Sequence, residues 1–284
     1  MAEVLRLASP AKLNLMLHVT GRREDGYHLL ETVFQFIDLC DRLEFEADDS
    51  PRITRVAGNT PVAEADDLLL KSAELLGDRL AVRKGVRIRV DKRIPIGGGL
   101  GGGSSNAATC LLALNRLWGL GLSLTELAEI GLELGADVPV FVHGRAAWAT
   151  GVGEQLQPLE LPLPKYLVID PKTAVSTAQV FAARELTRNC DPLTIRAFLR
   201  GAGGNVCESV VRKRYPQVAA ALDWLDRYGQ ARMSGTGGCV FAAFDSLEQA
   251  EEVKSAVPGE WAAFVAEALN FNPVHRQLGL PLTD

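Results

Sequence analysis

The 284-residue sequence predicts an α+β fold built as two domains. At roughly 150 residues per domain, the length suits two domains or one large one. Its first hundred residues read as strands joined by turns and helices gather later, which is not the strict βαβα rhythm of a doubly wound sheet. Finally, Pro158, Pro162 and Pro164 interrupt an apolar run ahead of a strand at 166–170, the kind of segment where domain boundaries fall, so the expected domains are 1–158 and 159–284.

Each element has its own signal. Leu13, Leu15, Leu17 and Val19 alternate with Asn14, Met16, His18 and Thr20, the period of a strand with one face in the core and a polar face toward a cleft or water. Residues 43–47 and 86–91 alternate in the same way, and a helix is expected over 68–80 behind Asp66 and Asp67 as caps. An Ala- and Leu-rich helix runs from Ser104 or Ser105 to Trp118, and Ser123 with Glu126 forms a capping box for another that ends at Gly135. Beyond the boundary, helices are expected at 177–185, 206–213, 218–228 and 247–256, and strands at 232–234, 239–244 and 261–268.

Composition narrows the function. With 47% hydrophobic and 23% charged residues the chain is no disordered tract, and a net charge of -5 gives no global field toward nucleic acid or anionic lipid. The uncharged stretch at 94–115 is broken by glycines and is too short on apolar residues for a span of about 20. No cleavage site follows the apolar segment near the start, so no signal peptide is expected. Cys40, Cys110, Cys190, Cys207 and Cys239 have the spacing of neither a disulfide framework nor a zinc site, and fit a reducing cytoplasm in which each packs as a small apolar residue. His18, His143 and His275 form no metal spacing, and the pairs Asp48-Asp49 and Asp66-Asp67 are expected to be solvated.

The chemistry concentrates at Pro95-Ile96-Gly97-Gly98-Gly99-Leu100-Gly101-Gly102-Gly103-Ser104-Ser105, between a strand and a helix. Bare amides running into a helix start cradle an anion such as phosphate, whereas a flexible linker has no need of a strand before it and an Ala-rich helix after it. Gly97-x-Gly99-x-x-Gly102 formally matches a dinucleotide fingerprint, but no acidic ribose ligand follows on a second strand, which weighs against an oxidoreductase. A P-loop is excluded because Ser104, not lysine, follows Gly103. A nucleotide-binding module without catalysis would leave Lys12 and Asp137 idle.

This segment closely resembles the second motif of the GHMP kinases (galacto-, homoserine, mevalonate and phosphomevalonate kinases). Two further motifs are similar to that superfamily's, Ser9-Pro10-Ala11-Lys12-Leu13-Asn14-Leu15 and Met233-Ser234-Gly235-Thr236-Gly237-Gly238-Cys239. Arg22-Arg23-x-Asp25-Gly26-Tyr27-His28, Asp91-Lys92-Arg93-Ile94-Pro95 and Gly135-Ala136-Asp137-Val138-Pro139 resemble the branch that acts on a cytidine-diphosphate-linked methylerythritol in the non-mevalonate isoprenoid pathway. Asp67, Val206 and Gly238 stand where that branch commonly has Asn, Asp and Ala.

The resemblance implies a two-domain GHMP kinase fold, with an N-terminal domain like the second domain of ribosomal protein S5 and a ferredoxin-like C-terminal domain. It implies a cytoplasmic kinase, monomer or homodimer, that uses ATP with Mg²⁺ and a small-molecule alcohol, with neither nucleic acid nor membrane as partner. Asp137 is then the base and Lys12 the cation beside it and the acceptor hydroxyl, with Asn14 helping to orient that group. Phosphates fall to Pro95, Ile96, Gly97, Gly98, Gly99, Leu100, Gly101, Gly102, Gly103, Ser104 and Ser105, with Lys92 as a nucleotide contact. A cytosine falls to Tyr27, His28 and Phe181, with Thr177 close by. Read on their own residues, Asp137 could be only a helix cap, Lys12 only solvated and Phe181 only core. The rival acceptors within the superfamily are mevalonate and homoserine.

Overall fold

Two long strands organise the computed structural model, which describes residues 3–56 and 58–281. β1 (Val4–Arg22) and β2 (His28–Asp48) form an antiparallel hairpin closed by the turn at 23–27, where the Arg23 amide donates to the Tyr27 carbonyl at 2.7 Å. The chain continues through β3 (Ile53–Arg55), α1 (Leu68–Arg79), β4 (Gly85–Asp91), α2 (Gly102–Trp118), α3 (Leu124–Leu134), α4 (Val138–His143), β5 (Ala147–Thr150) and β6 (Gln155–Pro158). β7 (Lys165–Asp170), α5 (Thr177–Phe181), α6 (Ile195–Phe198), α7 (Glu208–Arg214), α8 (Pro216–Leu225), β8 (Arg232–Met233), β9 (Val240–Phe244), α9 (Leu247–Ser255), β10 (Ala262–Leu269) and α10 (Pro273–Leu278) follow.

The strands run in the order β3-β4-β2-β10-β7-β9-β8, with β1 on β2 and the β5-β6 hairpin also on β2. Only two residue pairs, Ala268 with Ile37 and Leu269 with Phe36, join β10 to β2, so the sheet narrows there into two lobes. Helices α1 to α4 bury Leu76, Leu111 and Phe141 against Phe36 and Phe45 of the first lobe. In the second lobe Val210, Leu222, Leu167 and Val240 form the core under α7 and α8. Leu13, Ile37, Leu100, Val168 and Phe241 fill the seam between them. Two segments cross over. Leu17 and Val19 of β1 pack in the second core, and Val274 and Leu278 of α10 pack in the first, where His275 Nε2–H donates to the Val142 carbonyl at 2.8 Å.

The alternation expected along residues 13–20 breaks at Met16, which is fully buried rather than on the polar face. A bulge between Asn14 and Met16 re-aims the strand and sends Met16 into a small cluster with Trp148. The helix expected from Ser104 or Ser105 begins at Gly102, because glycines tolerate its left-handed N-cap at Gly101. Helix α5 stops at Phe181 instead of 185, and α10 adds a turn of helix after the strand expected to close the chain. Asp67 is not solvated: it caps α1 through the Leu69 amide and pairs with Arg55 at 2.5 Å. Cys40 and Cys190 are half-buried, unlike the other three cysteines. Burial pushes the Cys110 and Cys207 thiols up to about 12, so neither is a nucleophile near neutral pH.

Candidate active site

A cleft of about 770 Å³ opens between the lobes, floored by β1 and β2 and walled by the glycine loop, α4 and α5. At its centre stands Lys12, carried past a register shift between Pro10 and Ala11, where proline's missing N–H costs no ladder bond. The Lys12 side chain is only 3% exposed, and its ammonium donates to Asn14 Oδ1 and to the Gly99 carbonyl at 3.1 Å. Asp137 Oδ2 lies 3.3 Å from the same Nζ. Asp137 occupies the N-cap position of α4 but makes no side-chain cap hydrogen bond, so its carboxylate, 34% exposed, is turned to the cleft and to Lys12.

The lysine is held from behind. Asn14 Nδ2 donates to Thr32 Oγ1 at 2.8 Å, and Thr32 donates to the Met16 carbonyl at 2.6 Å, which fixes the amide with its oxygen toward Lys12. The glycine loop is clamped on both sides. Lys12 N–H donates to the Leu100 carbonyl at 2.9 Å, while Ser234 Oγ and Cys239 N–H of the loop between β8 and β9 donate to Gly99 and Gly98 carbonyls, both at 2.9 Å. Its base rests on Asp41, fully buried, which accepts from the Arg93 and Ile94 amides, from Lys92 Nζ at 2.6 Å and from Asn106 Nδ2 at 2.9 Å. Beyond these clamps lie the amides of the first turn of α2, which have no intrahelical acceptor and suit an anion.

At the opposite end the His28 and Phe181 rings stack, centroids 4.9 Å apart and planes at 21°, beside a Tyr27 that is 65% exposed. Thr177 and Thr236 hydroxyls share a hydrogen bond of 2.7 Å across the cleft's rim. Burial, then the charges of Arg188 and Arg22, hold the His28 imidazole below its usual pKa, so it is neutral at physiological pH.

Comparison with known proteins matches residues 67–145 to the model of the GHMP kinases N terminal domain and residues 182–263 to that of the GHMP kinases C terminal. A 4-diphosphocytidyl-2-C-methyl-D-erythritol kinase of Nitrosococcus oceani is 57% identical over 264 residues, covering 93% of this chain and 94% of that protein. The chain belongs to the GHMP kinases, in the 4-diphosphocytidyl-2-C-methyl-D-erythritol kinase branch. A crystal structure of a 4-(cytidine 5'-diphospho)-2C-methyl-D-erythritol kinase superposes with a TM-score of 0.82 at 34% identity, over 93% of this chain and 99% of that one. A mevalonate kinase structure, at 15% identity and a TM-score of 0.68, covers 94% and 99% and shares the fold.

This GHMP kinase brings Lys12, Asn14, Tyr27, His28, Gly99, Gly101, Ser104, Asp137, Thr177 and Phe181 to one cleft. Other expected positions lie off its walls. Lys92 is turned inward to Asp41 and Asn106, Ile96 is 54% exposed, Leu100 is buried in the seam, and Ser105 Oγ shares a buried 2.7 Å hydrogen bond with Ser9. Pro95, Gly97, Gly98, Gly102 and Gly103 shape the loop without lining the cleft itself. Sequence reasoning missed Thr32, whose only signal is its place opposite Leu17 in the hairpin, and Arg188, which has none. No helix among the described residues is long and apolar enough to cross a membrane, and no group of three or more His, Cys, Asp or Glu side chains among them could hold a metal.

Proposed function

We propose that this chain transfers the γ-phosphoryl group of ATP to the 2-hydroxyl of 4-diphosphocytidyl-2-C-methyl-D-erythritol, a cytoplasmic step of the non-mevalonate isoprenoid pathway. The supporting observation is the buried Lys12 ammonium, 3.3 Å from the Asp137 carboxylate and hydrogen-bonded to the glycine loop at Gly99, in the cleft that His28 and Phe181 also line. Bound ATP supplies the phosphoryl group. Phosphoryl transfer asks the protein chiefly for positioning and charge. Asp137 accepts the hydroxyl proton, Lys12 stabilises the oxyanion left behind, and Asn14 orients Lys12.

The loop from Pro95 to Ser105, with Lys92 behind it, forms the nucleotide side, and a side chain at Gly99 would run into the Ser234 and Gly237 carbonyls that back it. Tyr27, His28, Phe181 and Thr177 form the cytosine side. Mg²⁺ fits this site only with phosphate oxygens and water as its main ligands, since no group of three or more His, Cys, Asp or Glu side chains gathers among the described residues and Asp137 is the carboxylate beside Lys12. In this reading residues 1–158 carry the reacting groups, and 159–284 supply the third glycine-rich loop and Phe181.

A coupled ADP-release assay with a panel of alcohols tests the proposal. Activity with the cytidylyl substrate and none with mevalonate, homoserine or galactose is expected. Comparable activity with any of those three overturns it.

A further inference from the structure

Arg188 lies seven residues beyond Phe181, outside every motif, yet its guanidinium reaches both members of the stacked pair. Its Nε–H donates to His28 Nε2 at 3.1 Å. One Nη2 donates to the Phe181 and Ala183 carbonyls, both at 2.7 Å, and Nη1 donates to the Leu186 carbonyl at 3.1 Å. These carbonyls belong to the last residue of α5 and to the turn that follows it, so one side chain ties the His28 ring to the backbone that carries the Phe181 ring.

A guanidinium has donors only, so the Nε2 that receives its N–H is unprotonated. A neutral imidazole with a bare Nε2 carries its proton on Nδ1. That Nδ1 has no protein partner among the described residues, while His28 lines the cleft. Burial and the positive charges of Arg188 and Arg22 also oppose a doubly protonated ring.

We propose that Arg188 is a positioning residue for acceptor recognition: it sets His28 as the Nδ1–H tautomer and holds its ring on Phe181, so that the cleft offers a committed hydrogen-bond donor beside a stacking face. The ligand chemistry this fits is a pyrimidine with acceptor atoms on its edge. The proposal rests on reading this end of the cleft as the cytosine site.

The test uses the full-length enzyme labelled with ¹⁵N-histidine, the His28 signals being assigned by their loss in His28→Ala. Two-bond ¹H–¹⁵N spectra should show the Nδ1–H pattern in the wild type and a mixture of tautomers in Arg188→Met. With ATP saturating, Arg188→Met should raise KM for 4-diphosphocytidyl-2-C-methyl-D-erythritol about 2- to 12-fold, the factor of a single net hydrogen bond. The kcat and the KM for ATP should stay within about twofold, as expected for lost uniform binding of the acceptor. In a His28→Ala background the same change should cost less than about twofold, because the effect passes through His28.

An unchanged Nδ1–H pattern in Arg188→Met, an equal KM factor in both backgrounds, or a loss shared by kcat and the KM for ATP overturns the proposal. Should Arg188→Met not fold, Arg188→Gln, too short to hold His28 and the carbonyls together, is read against the same outcomes. His28→Ala with an unaltered acceptor KM would instead remove the cytosine reading itself.

Discussion

Replacing Gly99 with alanine puts a single methyl where the glycine loop meets the loop between β8 and β9. Gly99 has φ +75°, a conformation that costs an L-residue about 1–2 kcal/mol. Its added Cβ would meet the Gly237 carbonyl oxygen and the Ser234 carbonyl carbon at 3.0 Å and overlap the Ser234 oxygen. Both are backbone, so the loops must part by about 1 Å to restore ordinary contact. Gly99 O is also the acceptor of Lys12 Nζ and Ser234 Oγ, so the displacement is passed directly to the lysine.

A misplacement of about 1 Å in a catalytic group can cost about 100-fold in rate, and that is the loss expected in turnover. The strain alone should lower Tm by about 2–8 °C at this chain length. Gly119→Ala is the control: φ is +68°, but nothing lies within 4 Å of the added Cβ, so it should lose similar stability and keep its turnover. Turnover is read by coupled ADP release and stability by thermal melting. Gly99→Ala with more than about half the wild-type turnover, or Gly119→Ala equally impaired, would refute the reasoning.

Asp137→Asn keeps the shape of the side chain and removes the base, so kcat should drop about 10²- to 10⁴-fold. The double variant Lys12→Met with Asp137→Asn should be scarcely slower than the worse single one, and multiplying losses would show that the two groups act separately. Thr32→Val leaves Asn14 Nδ2 without its acceptor and should lower kcat about 3- to 30-fold, one to two hydrogen bonds' worth, with Thr32→Ser restoring most of it in steady-state assays. His275 is held below its usual pKa chiefly by burial, so the unfolded chain binds the extra proton first and stability falls as pH drops through and below the unfolded value near 6.5. Melting curves should therefore show a larger loss of Tm between pH 7 and 5 for the wild type than for His275→Gln.

Local signals survived folding best. The capping box of Ser123 and Glu126 is present with both of its hydrogen bonds, and β4 follows its alternation. Lys12 and Asp137 were visible as residue types, but their meeting depends on β1 and the start of α4 approaching across 125 positions of sequence. The middle of β2 was illegible because Val33, Phe34, Gln35, Phe36 and Ile37 are all buried, and a strand covered on both faces has no period to detect. The ion pair of Lys92 with Asp41 has no local signal, because Asp41 lies 51 positions away on another strand. Helix α5 stops early for a similar reason: Arg188, from beyond it, takes the carbonyls that a longer helix would have used.

The return of α10 to the first lobe sets an order of assembly. Translation reaches residues 273–278 only after all of the second lobe has been made, yet Val274, His275 and Leu278 fill sockets beside Phe141, Val142 and the first-lobe helices. The first lobe therefore leaves the ribosome with part of its interior uncovered and cannot mature ahead of the second. A chain cut between the lobes would carry that gap permanently, and its two fragments should need each other to become soluble.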